Sequence, residues 1–169
     1  MNEFAELLIK NNISIGTVES FMLGNIPGIS KVYKGSLVTY QSETKERLLG
    51  IEHPLIEKYG VVSKEIATLM CVNGKSILDV DLCVSFTGNA GPDAMEGKPV
   101  GEVYIGIAYE DVVVYKLNLE GSRKEIALKA SYSTSSSSVP SGRIYPQLSH
   151  TPSSASIPSF TKASMPPGS

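Results

Sequence analysis

Asp81-Leu82-Cys83-Val84-Ser85-Phe86-Thr87-Gly88-Asn89-Ala90-Gly91-Pro92-Asp93 is an apolar run of strand length that breaks into a loop of Gly, Asn and Pro. Lys98-Pro99-Val100-Gly101 then delivers the chain to a second apolar run, Glu102 to Ala108. A glycine-rich loop at the end of a buried strand brings backbone N–H groups close to a ligand. Such a loop carries no reactive side chains of its own. A second segment supplies them: Lys34-Gly35-Ser36-Leu37-Val38-Thr39-Tyr40, followed by Ser42-Glu43-Thr44-Lys45.

Working outward, residues 3–10 carry apolar side chains at helical spacing, Asn11-Asn12 ends that helix, and Ile13 to Val18 alternates as a strand. Gly35 to Tyr40 reads as a second strand. Ser42 to Leu49 is a short helix with Ser42 as N-cap and Gly50 beyond its end. His53 to Tyr59 is another, with Pro54 in its first turn. Ser63 caps a longer helix whose Ile66, Leu69, Met70, Val72, Asn73 and Ile77 make one largely apolar face, interrupted by Gly74. After the strands Asp81 to Phe86 and Glu102 to Ala108, a tight Glu110-Asp111 connection leads to a strand over Asp111 to Leu119. Val113, Tyr115, Leu117 and Leu119 share one face of that strand. Ser122-x-x-Glu125 is a capping box opening a final helix. Helices alternating with strands, then an antiparallel pair, predict an α/β fold: a three-layer α/β/α-type single domain with a mixed sheet over residues 1–130.

From Ser131 the composition changes to Ser, Pro and Thr, with six of the ten prolines and no acidic residue. A segment of this kind cannot bury enough apolar surface to offset the entropy of ordering it, so residues 131–169 are expected to form a disordered tail. Without its Arg143 and Lys162, the body holds 13 basic against 17 acidic residues, a formal charge of −4. A broad nucleic-acid-binding face is thereby disfavoured. Cys71 and Cys83 fall in apolar patterns and read as small buried hydrophobes. His53 and His150 lie far apart, so no cluster has metal-ligand spacing. The amino terminus is acidic and no apolar run reaches membrane-spanning length, so the expected location is the cytoplasm, with no membrane partner.

Several short motifs in order carry a resemblance: Thr17-Val18-Glu19-Ser20, Ile26-Pro27-Gly28-Ile29-Ser30, Tyr33-Lys34-Gly35, Val38-Thr39-Tyr40, Lys45, Gly60-Val61-Val62-Ser63, Thr87 to Pro92, Lys98 to Tyr104 and Gly121-Ser122-Arg123. Over residues 1 to about 130 the chain resembles the C-terminal domain of the competence/damage-inducible protein CinA, the family of nicotinamide mononucleotide amidohydrolases. The resemblance implies hydrolysis of the carboxamide of this pyridine mononucleotide to nicotinate mononucleotide and ammonia, with no metal and no cofactor. An amidase needs a nucleophile, a group to take and return its proton, and donors for the oxyanion. Ser30 is one candidate nucleophile and Ser20, beside Glu19, is its rival. Lys45 is the expected base once burial lowers its pKa. Tyr40 is expected to relay a proton or orient the pair. Glu19, Thr39, Thr87 and the Gly88, Ala90, Gly91, Pro92 loop are expected to meet the substrate, and Arg123 at a helix N-terminus suits its phosphate.

The chain departs from the family pattern in two places. After Ser20 the Thr-Gly-Gly turn and roughly seven residues are absent, equivalent to about 10 Å of helix. Beyond Ala130 the apolar continuation of the last helix is replaced by Ser133-Thr134-Ser135-Ser136, which is expected to leave part of a sheet face uncovered. These departures raise a second expectation: a catalytically inactive nucleotide- or partner-binding member of the fold, or an aberrant truncated product. Whether the chain forms a homo-oligomer stays open.

Overall fold

A computed structural model of the chain describes residues 2–18, 29–94 and 96–133. In order these form α1 (Asn2–Lys10), β1 (Ile15–Val18), a 3-10 turn (Ile29–Lys31), β2 (Tyr33–Leu37), α2 (Ser42–Leu49), α3 (His53–Tyr59), α4 (Lys64–Leu78), β3 (Leu82–Gly88), β4 (Glu102–Ala108), β5 (Val112–Asn118) and α5 (Arg123–Ser133). The five strands make one sheet in the order β2-β1-β3-β4-β5. β1 pairs in parallel with β2 and with β3, whereas β3–β4 and β4–β5 are antiparallel. The expected mixed sheet is therefore present.

Strand alternation divides the core. Val18 and Cys83 point to one face, where they pack with Ile66 and Met70 of α4, Leu49 of α2 and Ile56 of α3. Ile15, Val84, Val103, Ile105 and Ile107 point to the other, against Leu8 of α1 and Ile126 and Ala130 of α5. Two helical layers thus enclose the sheet. All four residues of β1 and all seven of β4 are buried, as strands covered on both faces must be.

Local chemistry explains the element ends. Ser63 accepts from the Ile66 N–H and starts α4, Gly50 takes the left-handed conformation that ends α2, and Glu125 accepts from both the N–H and the hydroxyl of Ser122 to start α5. Four expectations are corrected. β2 lies over Tyr33–Leu37 rather than Gly35 to Tyr40, because Val38 to Tyr40 leave the sheet to reach α2. Gln41, not Ser42, holds the N-cap position of α2, and no side chain caps it. Val72 and Ile77 lie on the exposed side of α4 and not in its buried face. β5 begins at Val112 and ends at Asn118, since the Glu110-Asp111 connection closes through a Tyr109 N–H bond to the Asp111 carbonyl. α5 runs to Ser133, and the segment expected to be a disordered tail is, from residue 134 onward, outside the described residues.

Gly74 does not interrupt the packing of α4. It is the point of closest approach, where a Cβ would lie 2.2 Å from Val18 Cγ2 and 3.0 Å from Cys83 Sγ. Gly74→Ala is expected to lose about 1–3 kcal/mol of stability by overpacking, even though alanine is the better helix former by about 1 kcal/mol. Urea unfolding measures this, and a variant more stable than the wild type would contradict the packing described.

Candidate active site

β2, β1 and β3 run in the same direction, so their carboxyl ends share one edge of the sheet. The chain leaves β1 for β2 on one side and returns to β3 on the other. Such a switch in strand order opens a crevice outside the carboxyl ends, where ligands bind in open α/β sheets. Three described segments meet at this edge. They are residues 38–41 after β2, residues 89–94 and 96–101 after β3, and the start of α5, which follows the similarly directed β5.

Lys45 is the unusual group there. It lies one turn inside α2 and is only 4% exposed. Its amine donates to the Thr39 carbonyl at 2.7 Å and to the Tyr40 carbonyl at 3.4 Å. Both acceptors are neutral backbone groups. Burial pushes the Lys45 pKa below the ordinary lysine value, while the Glu96 carboxylate pulls it back up. One of the three ammonium donors is left for another partner. Beside it, Thr39 is 4% exposed and its Oγ1 is buried without a hydrogen-bond partner among the described residues. A buried hydroxyl left unmatched costs free energy and is a ready partner for a polar ligand.

The loop after β3 is held by a residue that the sequence reading quoted but did not single out. Asn89 is 2% exposed. Its Oδ1 accepts from the Gly91 N–H, and its Nδ2 donates to the Asp93 and Lys98 carbonyls. The first bond is an Asx turn, a recognised signal of Asn two residues before Gly. Thr87, near the end of β3, donates to the Val61 carbonyl at 2.6 Å, so its oxygen lone pairs remain able to accept. Where the loop returns to the sheet, the buried Glu102 carboxylate is held by Tyr104 at 3.0 Å and Lys116 at 3.0 Å.

Arg123 opens α5 and ties the edge together. One guanidinium nitrogen donates to the Gly91 carbonyl at 2.7 Å and the other terminal nitrogen to the Tyr40 hydroxyl at 3.0 Å. Lys45, Thr39, Tyr40, Thr87, Gly88, Ala90, Gly91, Pro92 and Arg123 are therefore gathered on one edge. Tyr40 meets Lys45 through its backbone carbonyl, whereas its 66% exposed side chain turns to Arg123.

Ser30 is not brought to this group. It is exposed in the 3-10 turn before β2, beside the start of β1, where Ile15 pairs with Tyr33. The length of β2, about 13 Å at 3.3 Å per residue, separates it from the Lys45 edge. Glu19 and Ser20 follow Val18 in sequence and lie outside the described residues.

Two tests follow from this geometry. In Asn89→Ala three side-chain hydrogen bonds disappear, and a loss of about 2 kcal/mol in urea unfolding is expected; a change below about 0.5 kcal/mol would show that the loop is held by other means. The Lys45 proton is bound less tightly in the native state than in the unfolded one. The stability contributed by this group therefore rises as pH climbs from the depressed native pKa toward 10.5, and is lost as pH falls back through that native value. Lys45→Met removes that rise, so its stability relative to the wild type should decline with increasing pH. Parallel stability curves from pH 7 to 10.5 would contradict the burial of the amine.

Comparison with known proteins bears on the fold and its origin. The chain is 45% identical over 106 residues to a competence-damage inducible protein of Geobacillus kaustophilus, covering 62% of this chain and 26% of the relative. A protein of the same name from Bacillus thuringiensis is 39% identical over 130 residues, 72% of this chain and 32% of its own length. The chain thus spans about a quarter to a third of the relatives it matches. Among solved structures, a CinA superfamily protein of Escherichia coli superposes with a TM-score of 0.72 at 22% identity, covering 76% of this chain and 80% of that one. The competence/damage inducible protein CihA of Agrobacterium tumefaciens gives 0.70 at 26% identity over 76% and 87% of the two chains. Among the described residues, no helix is long and apolar enough to cross a membrane. With the family described as the CinA C-terminal domain matched across residues 1–135, the chain belongs to that family.

Proposed function

We propose that this chain is an amidohydrolase acting on the carboxamide of nicotinamide mononucleotide, forming nicotinate mononucleotide and ammonia. The observation that carries the reading is the Lys45 amine, buried at the carboxyl edge with neutral carbonyls as its hydrogen-bond acceptors among the described residues and with its pKa pushed down. An amine so placed gives up its proton more readily than a surface lysine, which suits a group that takes a proton from an attacking hydroxyl and returns it to departing ammonia.

The remaining groups suit the substrate. Thr87 has spent its proton on Val61, and so accepts from a carboxamide NH₂. In the loop, the Asn89 N–H bonds Glu102 and the Gly91 N–H bonds the Asn89 side chain, which leaves the Ala90 N–H as donor for the oxyanion. Thr39 Oγ1 offers a further polar contact. Arg123 uses two donors on Gly91 and Tyr40, and has others for a phosphate at the start of α5. The nucleophile in this reading is Ser20, two residues beyond Val18 in sequence. Its attack displaces ammonia and leaves an acyl ester, which water cleaves to the carboxylate. Glu19 lies next to it in sequence.

Ammonia release from nicotinamide mononucleotide by the purified chain tests the reading. Lys45→Ala is expected to lower kcat by about 10²–10⁴-fold, and Arg123→Ala to raise KM by about tenfold or more. Ser20→Ala should abolish turnover with Ser30→Ala nearly unaffected; the reverse pattern would overturn the choice of nucleophile. Substrate binding without ammonia release, from a sample that unfolds cooperatively, would favour an inactive nucleotide-binding member of the family instead.

A further inference from the structure

β5 closes one side of the sheet, and its outer edge has no strand against it among the described residues. The phase of the β4–β5 hairpin decides which groups that edge presents. At one end the Leu119 N–H donates to the Gly101 carbonyl, and at the other the Tyr109 N–H donates to the Asp111 carbonyl. Between them the register runs without a break from Glu102 opposite Asn118 to Ala108 opposite Val112. Bonded residues alternate along an antiparallel strand, so Val113, Tyr115 and Leu117 bond β4, while Val112, Val114, Lys116 and Asn118 aim their N–H and C=O groups outward. The side chains from Val112 to Tyr115 are half-buried. Such a regular apolar edge is one that proteins ordinarily blunt with charge, proline or a bulge. β2, at the other side of the sheet, is blunted: it is shorter, its Lys34 is exposed, and its register with β1 shifts between Ile15 and Gly16. β5 has one charged residue, Lys116, and its amine is turned back across the sheet to the Glu102 carboxylate at 3.0 Å and over the Tyr104 ring.

We propose that this edge is an interface between two copies of the chain, formed by antiparallel pairing of β5 with β5 about a two-fold axis at Val114. The strand is self-complementary in that arrangement. The outward N–H and C=O groups of Val114 face those of Val114 in the second copy, and those of Val112 face those of Lys116. Charge selects the register. With Val114 on the axis, Lys116 lies opposite Val112 and diagonal to Glu110 of the second copy, a favourable pairing of opposite charges. With Tyr115 on the axis the two Lys116 side chains become diagonal neighbours, and with Lys116 on the axis they are directly opposed, which is destabilising. On the other face of the sheet Val113 meets Tyr115 of the second copy, a favoured β-branched and aromatic pair. Two five-stranded sheets thereby become one continuous sheet. The Lys45 amine is held by the segment after β2, at the opposite side of the sheet, so the candidate active site stays open and the dimer does not rest on the amidase reading.

The mass of the chain in solution and the amides of β5 test this together. Two strands of seven residues bury less than a standard interface, so a dimerisation constant in the micromolar range is expected. Sedimentation velocity from about tenfold below that range to about tenfold above it should show the mass rise from 18.1 kDa toward twice that value. Over the same range, hydrogen exchange followed by NMR should slow about tenfold at the Val112, Val114 and Lys116 amides, while Val113 and Tyr115, already bonded to β4, exchange at a constant rate. Val114→Pro removes the N–H groups on the axis without touching the β4 ladder. It should weaken dimerisation by about tenfold or more in a chain whose Val113 and Tyr115 amides stay protected. Val114→Cys should cross-link to its own copy under mild oxidation, since the Cα atoms of a hydrogen-bonded pair lie about 5.5 Å apart, and Lys116→Cys should not. A stronger cross-link from Lys116→Cys would overturn the register. A chain that stays at 18.1 kDa throughout, or a dimer whose Val112, Val114 and Lys116 amides exchange at an unchanged rate, would overturn the proposal.

Discussion

A single primary amine buried at the end of a parallel strand pair organises the carboxyl edge of this domain. Removing a cation from water is costly unless it is well partnered, and among the described residues Lys45 has two carbonyl oxygens for compensation. The arrangement persists because those carbonyls, from Thr39 and Tyr40, belong to the segment that joins β2 to the helix bearing the lysine. Anything that repositions β2 against β1 also repositions the amine. The close packing of α4 on β1 and β3 at Gly74 therefore reaches the site mechanically, since it fixes the strand pair from which residues 38–41 depart.

Around the amine, the edge is made by side chains most of whose hydrogen bonds go to the fold itself. Asn89 spends its whole amide on the loop after β3, Thr87 spends its proton on Val61, and Arg123 bridges Gly91 and Tyr40. What remains unassigned among the described residues is informative: a third ammonium donor, the lone pairs of Thr87, the hydroxyl of Thr39 and the outer donors of Arg123. Those leftovers include both donors and acceptors, the mixture that the proposed reading assigns to a carboxamide and a phosphate.

Much of the fold was legible because local rules and tertiary packing agree. The Ser63 cap, the Gly50 stop, the Ser122-Glu125 box and the Glu110-Asp111 turn each formed where residue chemistry places them. The misplacements have physical causes. Val38 to Tyr40 keep an extended pattern after they have left the sheet, and periodicity cannot see the lost partner strand. Val72 and Ile77 satisfy a helical stripe that was drawn too wide. In the site, Lys45, Thr39, Thr87 and Arg123 could be gathered from motif order, and the structure sets them on one edge. The location of Ser30 could not, because fifteen residues of separation from Lys45 say nothing about which end of β2 each occupies. Asn89 carried a readable Asx signal.

The most direct measurement is a crystal structure of the chain with nicotinamide mononucleotide bound. The account predicts the carboxamide within hydrogen-bond distance of Lys45 Nζ and Thr87 Oγ1, with the phosphate on Arg123. A ligand seated at the opposite edge, beside Ser30 and the start of β2, would contradict it.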